Sequence, residues 1–402
     1  MKIIIFDLQT EGHHVQFVNL LCRYFIDLGD EVTFITWKHC KYIQRLERIN
    51  PELRIEFVLS SNSNRLRKTL FFRQYDYFRG YSYCLKWGKE QAADVAQFMY
   101  VDRSEIALLF SILLSPRSRT SLFGFLIAPY FLSKNYKNTK MPLFFKFYFW
   151  LNRIALRSLL QSRKVKQLFV LSHHTKEIMN NLWKSLPKAI IEAVPDPVED
   201  FPNDCSKRDA RKKLGLPTEG FIFLHFGTLT KEKGSDIFLE SIPLVKENAF
   251  WLIAGKPVSL SRNDISDFKK KLDKPNRLIT HLGFIPDELF KYYFKSCDIV
   301  VLPYRFNYIG TSGILQTATG ASKPVIASRV GQIGEIVEKE KLGFVVSPNC
   351  PQKLAKKMED IISKKLSPTE FEPSIRKYAQ RHNWKQMAFK IRKGYVRTSG
   401  CH

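Results

Sequence analysis

The sequence predicts an α/β protein built from two doubly wound parallel sheets, and three observations carry that expectation. Short β-branched or aromatic runs alternate with segments of helical pattern, the rhythm breaks at a stretch rich in proline and charge, and it then starts again. In the first half the runs are Ile3–Phe6, Val32–Thr36, Ile55–Leu59, Ala96–Val101, Leu122–Ile127, Gln167–Leu171 and Ala189–Val194. Parallel strands joined by crossover helices produce this alternation.

The break begins at Asp196-Pro-Val-Glu-Asp-Phe-Pro and continues to Pro217, which reads as an interdomain linker. Strands are then expected at Phe221–Phe226, Ala249–Ala254, Leu278–Leu282, Ile299–Leu302, Pro324–Ala327 and Gly343–Val346, a second Rossmann-like unit. The expected organisation is a domain over 1–198, a linker over 199–217, a second domain over 218–380, and a C-terminal helix and tail over 381–402. The basic, helical segment Phe371–Tyr395 is expected to serve packing.

Composition supports two cores and narrows the partners. A chain of 402 residues with 45% hydrophobic content is too long for one ordinary domain. Lys and Arg number 64 against 38 Asp and Glu, a net charge of +26 that points to an anionic partner: nucleic acid, a bilayer or a phosphorylated substrate. Seven scattered cysteines without a C-x-x-C pair suggest neither a disulfide framework nor a zinc site, and fit a reducing cytosol. The opening apolar run meets Asp7 within one strand length, so it reads as a buried strand and not as a signal peptide. The apolar stretches Ser121–Leu132 and Leu143–Leu151 are too short to span a bilayer. A cytoplasmic protein is expected, peripheral on the inner face of the membrane if it touches one.

The strongest chemical signal lies in the second half. A strand ending at His225-Phe226 runs into Gly227-Thr228-Leu229-Thr230-Lys231-Glu232-Lys233-Gly234, and a helix opens at Ser235-Asp236. Glycine at the strand exit lets backbone approach a ligand, and a lysine near the following helix can balance phosphate charge. Alone, the same run is an ordinary strand–turn–helix connection with solvated lysines. Further on, Gly310-Thr311-Ser312-Gly313 precedes a helix from Ile314, where unpaired first amides offer a diphosphate pocket without a metal. GTSG by itself is read equally well as an N-cap.

In order and spacing, these pieces resemble the C-terminal half of the family 4 retaining glycosyltransferases. The matching run comprises FGTLTKEKGSDIFLES, LIAGKP, HLGFIPDELFKYYFKSCDIVVLPY, GTSGILQTATGASKPVIASRVGQIGEIV and LGFVV, then RHNWKQMAFKIRKGY, most of Gly220–Tyr395. The first half is similar less closely, through Glu11-Gly12-His13-His14, Leu28-Gly29-Asp30-Glu31-Val32-Thr33 and Val194-Pro195-Asp196-Pro197-Val198. The resemblance implies the GT-B fold, two Rossmann-like domains facing each other across a cleft. It also implies a nucleotide-sugar co-substrate on the second domain, an acceptor approaching from the first, no other cofactor, and transfer with retention.

Carried over by position, Gly227, Thr228 and Lys233 contact the donor, Lys233 matching the lysine on the diphosphate, with Gly310, Thr311, Ser312, Gly313 and Ile314 as the backbone cradle. Thr228 stands where the family usually has arginine. The family's two glutamates, eight residues apart, fall at Ile309 and Thr317 in one register and at Gly310 and Ala318 in the other, so neither register supplies a carboxylate. Sugar and ribose contacts then pass to Thr317, Gln316 and Glu335. No D-x-D motif occurs, which argues for metal-independent stabilisation of the leaving group by Lys233 and helix amides.

For catalysis in the first half, His14 or His13, in the ligand-facing loop after the first strand, can position the acceptor or steady a developing charge. The bland alternative is a loop histidine that caps a helix. Asp102, at the end of the fourth run, can accept an acceptor proton, or simply pair with Arg103. A second pair, His173-His174, has the same placement, but Ser172 or Thr175 there is expected to cap the next helix.

Between Glu105 and Glu177 there is no acidic residue, while cations including Lys134, Lys137, Lys140, Lys146, Arg153, Arg157, Arg163, Lys164 and Lys166 interleave with Phe144, Phe145, Phe147, Tyr148, Phe149 and Trp150. Stretch 134–166 therefore suits an anionic membrane surface, and a lipid-linked sugar or glycolipid as acceptor. A second basic stretch spans Arg65 to Arg73. The opposing reading has the aromatics in the core and the cations on a solvated face. No recognised nucleic-acid module appears, which argues against nucleic acid. The missing glutamates also keep a catalytically silent scaffold in view, and a sugar-nucleotide epimerase is a third class, for which no acid/base set assembles near GTSG.

Overall fold

The structure is a computed structural model that describes residues 1–8, 13–38, 40, 43–58, 70–115, 118–127, 142–162, 164–187, 190–198, 201, 204–306, 308 and 312–399, with the side chains of 13–16, 44–45, 49, 70–72 and 399 set aside. The chain forms two compact units: Met1–Pro195 together with the segment from Trp384, and Asp196–Asn383.

The first unit runs β1 (Lys2–Phe6), α1 (His13–Asp27), β2 (Glu31–Trp37), α2 (Ile43–Ile49), β3 (Arg54–Val58), α3 (Leu70–Glu90), β4 (Val95–Phe98), α4 (Glu105–Leu114), β5 (Ser121–Leu126), α5 (Leu143–Gln161), β6 (Val165–Val170), α6 (His173–Leu182) and β7 (Ile191–Ala193). All strand pairs are parallel, in the order β3-β2-β1-β4-β5-β6-β7. Side chains alternate across a strand, so Ile4 and Phe6 join a core with α3 to α6, while Ile3 and Ile5 join a core with α1 and α2. A sheet covered on both faces needs apolar residues at every position, which explains runs such as IIIF in place of alternation. Ser172 caps α6 by accepting from the Thr175 amide at 3.0 Å, as expected, and His173 and His174 are exposed behind it.

The second unit runs α7 (Lys207–Lys213), β8 (Ile222–Phe226), α8 (Ser235–Ser241), β9 (Phe250–Gly255), α9 (Arg262–Lys270), β10 (Leu278–Leu282), α10 (Asp287–Ser296), β11 (Ile299–Leu302), α11 (Gly313–Gly320), β12 (Val325–Ser328), α12 (Gly331–Lys339), β13 (Gly343–Val346), α13 (Pro351–Ile362) and α14 (Glu372–Arg381). Its parallel sheet has the order β10-β9-β8-β11-β12-β13. In both sheets the chain reverses direction of travel once, between β1 and β4 and between β8 and β11, and such a reversal opens a crevice at the carboxyl ends of the strands. Each of the thirteen runs expected from the sequence contains a strand, although Ala96–Val101 is extended only as far as Phe98.

Two boundaries differ from the sequence expectation. Residues 199–217 are not all connecting chain: α7 has a capping box between Ser206 and Asp209 and belongs to the second unit. The reason is Arg211, a charged residue buried to 1% exposure. Its guanidinium donates to the carbonyls of Ser296, Thr218 and Gly220 and to Asp298 Oδ2, all within 3.0 Å. The last helix, α15 (Trp384–Ser399), is not a separate tail but part of the first unit. Tyr395 is fully buried against Phe25, Phe123 and Phe169 and donates to Gln97 Oε1 at 2.9 Å. Arg392 binds the buried Asp30 with two nitrogens, at 2.7 and 2.9 Å, a geometry stronger and more directional than a single contact.

Arg211→Ala removes every donor of that guanidinium and leaves Asp298 and three carbonyls short of a partner. It is expected to lower stability by about 3 kcal/mol in a urea melt, whereas Lys207→Ala, an exposed partner of the same Asp298, costs less than about 1 kcal/mol.

Candidate functional site

The site of the second unit is built at its strand reversal, from the connections after β8 and β11. Strand β8 ends at Phe226, and Gly227 leaves it at φ 113°, its N–H still bonded to the Ala254 carbonyl at 2.9 Å. The loop then turns on Thr230, whose Oγ1 accepts from the Lys233 amide at 3.2 Å and whose carbonyl accepts from the Ser235 amide. Gly234 starts α8 in the left-handed region, φ 67°, and a Cβ there would lie 1.9 Å from the Pro303 carbonyl oxygen. Only glycine lets the β8 and β11 connections approach so closely.

This folding brings three of the expected donor residues together. A Cβ built on Gly227 would sit 3.5 Å from Ile314 Cδ1 and 3.6 Å from Lys233 Nζ, so all three border the same small volume. Lys233 is half-buried, and burial lowers its pKa, opposed weakly by Glu232. Among the described residues no carboxylate lies within ion-pairing distance of its ammonium. A desolvated cation without an anion is poised to take one.

Helix α11 supplies the other wall. Ser312, 2% exposed, caps it by accepting from the Leu315 amide and shares a 3.0 Å hydrogen bond with Tyr304. The amides of Gly313 and Ile314, which no helix can satisfy internally, open α11, and the Ile314 side chain borders the volume over Gly227. Thr317 is buried and its hydroxyl donates to the Gly313 carbonyl at 2.8 Å, and Gln316, also buried, donates to Tyr378 Oη at 3.3 Å. Glu335 is exposed on α12, and Thr228 is exposed beside Gly227. Gly310 and Thr311 lie outside the described residues.

Two residues that the sequence reading passed over hold this geometry. Arg305, after β11, donates through its amide to the Glu232 carbonyl, through Nε to the Lys231 carbonyl at 2.8 Å, and to Asp236 Oδ2 at 2.6 Å. It ties the β8 loop to the β11 loop, and Lys231 contributes its backbone there while its side chain is exposed. His225, 1% exposed, lies 3.1 Å from the Val301 carbonyl through Nδ1 and 2.8 Å from Ser235 Oγ through Nε2. The carbonyl can only accept, so Nδ1 carries the proton and Nε2 accepts from the serine. Burial pushes the ring down to about 4, which keeps it neutral. Neither residue belongs to a motif; a buried histidine in an apolar strand was the visible signal.

In the first unit, Asp102 follows β4 and is fully buried, with Oδ2 accepting from the Ile127 amide at 2.9 Å, so it joins the ends of β4 and β5. Its neighbour Glu105 opens α4, also fully buried. Burial pushes that carboxyl up to about 8, with the Asp102 charge adding to the rise and the amides of Arg103 and Glu105 opposing it. Helix α1 starts at His13, but the side chains of His13 and His14 lie outside those described. Among the described residues no three His, Cys, Asp or Glu side chains gather to hold a metal ion.

The comparisons fit this geometry. Residues 220–364, the span that holds both connections, match the family model described as glycosyl transferases group 1. This segment is similar to the group 1 glycosyltransferases. An uncharacterized glycosyltransferase of Methanocaldococcus jannaschii is 29% identical over 159 residues, 39% of this chain and 40% of that protein. A lipopolysaccharide core biosynthesis mannosyltransferase of Rhizobium meliloti is 28% identical over 148 residues, 35% of this chain and 41% of that one. The chain thus spans less than half the length of these two relatives. Among solved structures, Anabaena HepE in complex with UDP superposes with a TM-score of 0.72 at 16% identity, covering 98% of this chain and 99% of that one. The two-sheet architecture is that of the GT-B glycosyltransferases.

A folded-state pKa of about 8 for Glu105, against 4.5 when unfolded, means that folding takes up a proton at intermediate pH. Below about pH 4.5 the carboxyl is neutral in both states and adds no pH dependence, and stability falls as pH rises from there through 8, by roughly 3–5 kcal/mol across the window. Glu105→Gln is expected to melt higher than the wild type at pH 8 and close to it at pH 5, as read by thermal unfolding at both pH values.

Proposed function

We propose that the protein is a retaining glycosyltransferase whose group 1 domain binds a nucleotide-sugar through Lys233, the Gly227 turn and the first amides of α11. The observation that carries this reading is the convergence of Gly227, Lys233 and Ile314 at the strand reversal, with no carboxylate among the described residues within ion-pairing distance of the lysine. In such a transfer the bond from the anomeric carbon to the diphosphate oxygen breaks and its electron pair stays with the diphosphate. The acceptor oxygen forms the new bond on the same face, and its proton passes to the leaving diphosphate. Lys233 and the helix amides would stabilise the charge that grows on the leaving group, a role that needs no metal ion.

The UDP bound to the Anabaena neighbour makes a UDP-sugar the first donor to try. His13, His14 and Asp102 are proposed for the acceptor side; Asp102, given its buried hydrogen bond, would act by positioning the loop between β4 and α4. The acceptor is proposed to be a lipid-linked sugar or glycolipid at an anionic membrane. That reading is supported by the lipopolysaccharide role in the name of the Rhizobium relative and by the basic-aromatic stretch 134–166. The proposed location is the cytoplasm, peripheral on the inner membrane face; no helix among the described residues is long and apolar enough to cross a membrane.

One observation favours a second reading, a catalytically silent scaffold that binds sugar nucleotides: neither glutamate register supplies a carboxylate, and Thr317 spends its hydroxyl on its own helix. Turnover separates the two. Slow hydrolysis of UDP-, GDP- and ADP-sugars by the purified chain, read as released nucleoside diphosphate, is expected for one of them. Lys233→Ala should lower that rate at least about a hundredfold, the cost of one charge-stabilising donor. Binding of a nucleotide-sugar with no turnover, even with membrane extracts as acceptor, would establish the scaffold instead.

A further inference from the structure

The basic-aromatic stretch divides unequally when folded. Helix α5 buries Tyr148, Phe149, Asn152, Ala155, Leu156, Leu159 and Leu160 against the first sheet. Its opposite face, at spacings of three and four, carries Leu143, Phe147, Trp150 and Ile154, and Phe147 and Trp150 remain 54% and 48% exposed. The rings of Phe147 and Trp150 stack on each other, centroids 5.7 Å apart. Helix α4 packs beside α5 in the same layer, with the Ile106 amide on Asn152 Oδ1. That helix leaves Phe110, Leu113 and Leu114 exposed by 53%, 66% and 72%. Scattered exposed apolar residues are ordinary; a paired set on adjacent helices, aromatic at its centre, marks a surface that expects cover.

We propose that the outer faces of α4 and α5 dock on the surface of an anionic lipid bilayer, with Phe147 and Trp150 entering the headgroup boundary. This rests on the reading of the acceptor as membrane-borne and assigns its docking element. Charge selects the occupant. Arg153 and Arg157 flank the apolar stripe on α5, and no acidic residue occurs between Glu105 and Glu177. A second copy of the chain meeting this face symmetrically would set cation against cation, whereas anionic headgroups complement both the charge and the apolar ridge. Aromatic side chains with cations at their margins are the composition of a helix lying in an interface.

The test is co-sedimentation of the full chain with vesicles of phosphatidylcholine alone and with about one-third phosphatidylglycerol. The wild type is expected on the mixed vesicles and much less on the neutral ones. Phe147→Ser with Trp150→Ser, and separately Arg153→Glu with Arg157→Glu, should each weaken partitioning at least about tenfold. Both variants lie on the exposed face and should keep the wild-type circular dichroism and UDP-induced thermal shift. Failure of docking is thereby distinct from failure of the donor site. A wild type that ignores anionic vesicles, or variants that bind as it does, would overturn the proposal. A wild-type dimer in solution that either variant dissociates would assign the face to a second copy and overturn it as well.

Discussion

The proposed donor site depends on two places where backbone meets backbone with no room for a side chain. A Cβ on Gly234 would stand 1.9 Å from the Pro303 oxygen, and one on Gly255 would stand 1.8 Å from the Gly227 oxygen. These contacts press the connections after β8, β9 and β11 together at the strand reversal. The position of Lys233 follows from them, because the residue before Gly234 cannot move while that glycine is held in the left-handed region. Arg305 and His225 then fix what the glycines permit. One bridges the two loops through charged and carbonyl contacts, and the other, neutral because it is buried, fastens α8 to β11 through Ser235.

The two units solve different problems with the same architecture. In the second, the reversal holds a cation and free helix amides, chemistry suited to a diphosphate. In the first, the corresponding region after β4 holds Asp102 and a Glu105 that burial keeps neutral at intermediate pH, together with the hydroxyls of Tyr81 and Ser104, 2.7 Å apart.

Strands were legible in the sequence because a doubly covered sheet demands unbroken apolar runs, and IIIF, IFLHF and IVVL state that demand directly. The Gly227–Gly234 turn was legible for a similar reason, since glycine at those positions has no substitute. The fate of 199–217 was not, because the polarity of α7 imitates a linker and its anchor, Arg211, reaches Ser296 and Asp298, 85 and 87 residues away. The same distance hid the return of α15 to the first unit, which rests on Arg392 reaching Asp30 across 362 residues. Arg305 and His225 act through carbonyls, one hydroxyl and the Asp236 carboxylate, contacts that no spacing in the chain announces. Within stretch 134–166, periodicity alone separates Phe147 and Trp150, outside, from Tyr148 and Phe149, inside, and only the packing shows which face is which.

The central claim is that a nucleoside diphosphate sits over Gly227 against Lys233. Calorimetric titration of UDP, GDP and ADP into the wild type and Lys233→Ala tests it most directly. The account predicts saturable binding of one nucleotide by the wild type and at least about a tenfold loss in the variant, the worth of one charge-assisted contact. No binding of any of the three, or equal affinity in the variant, would contradict it.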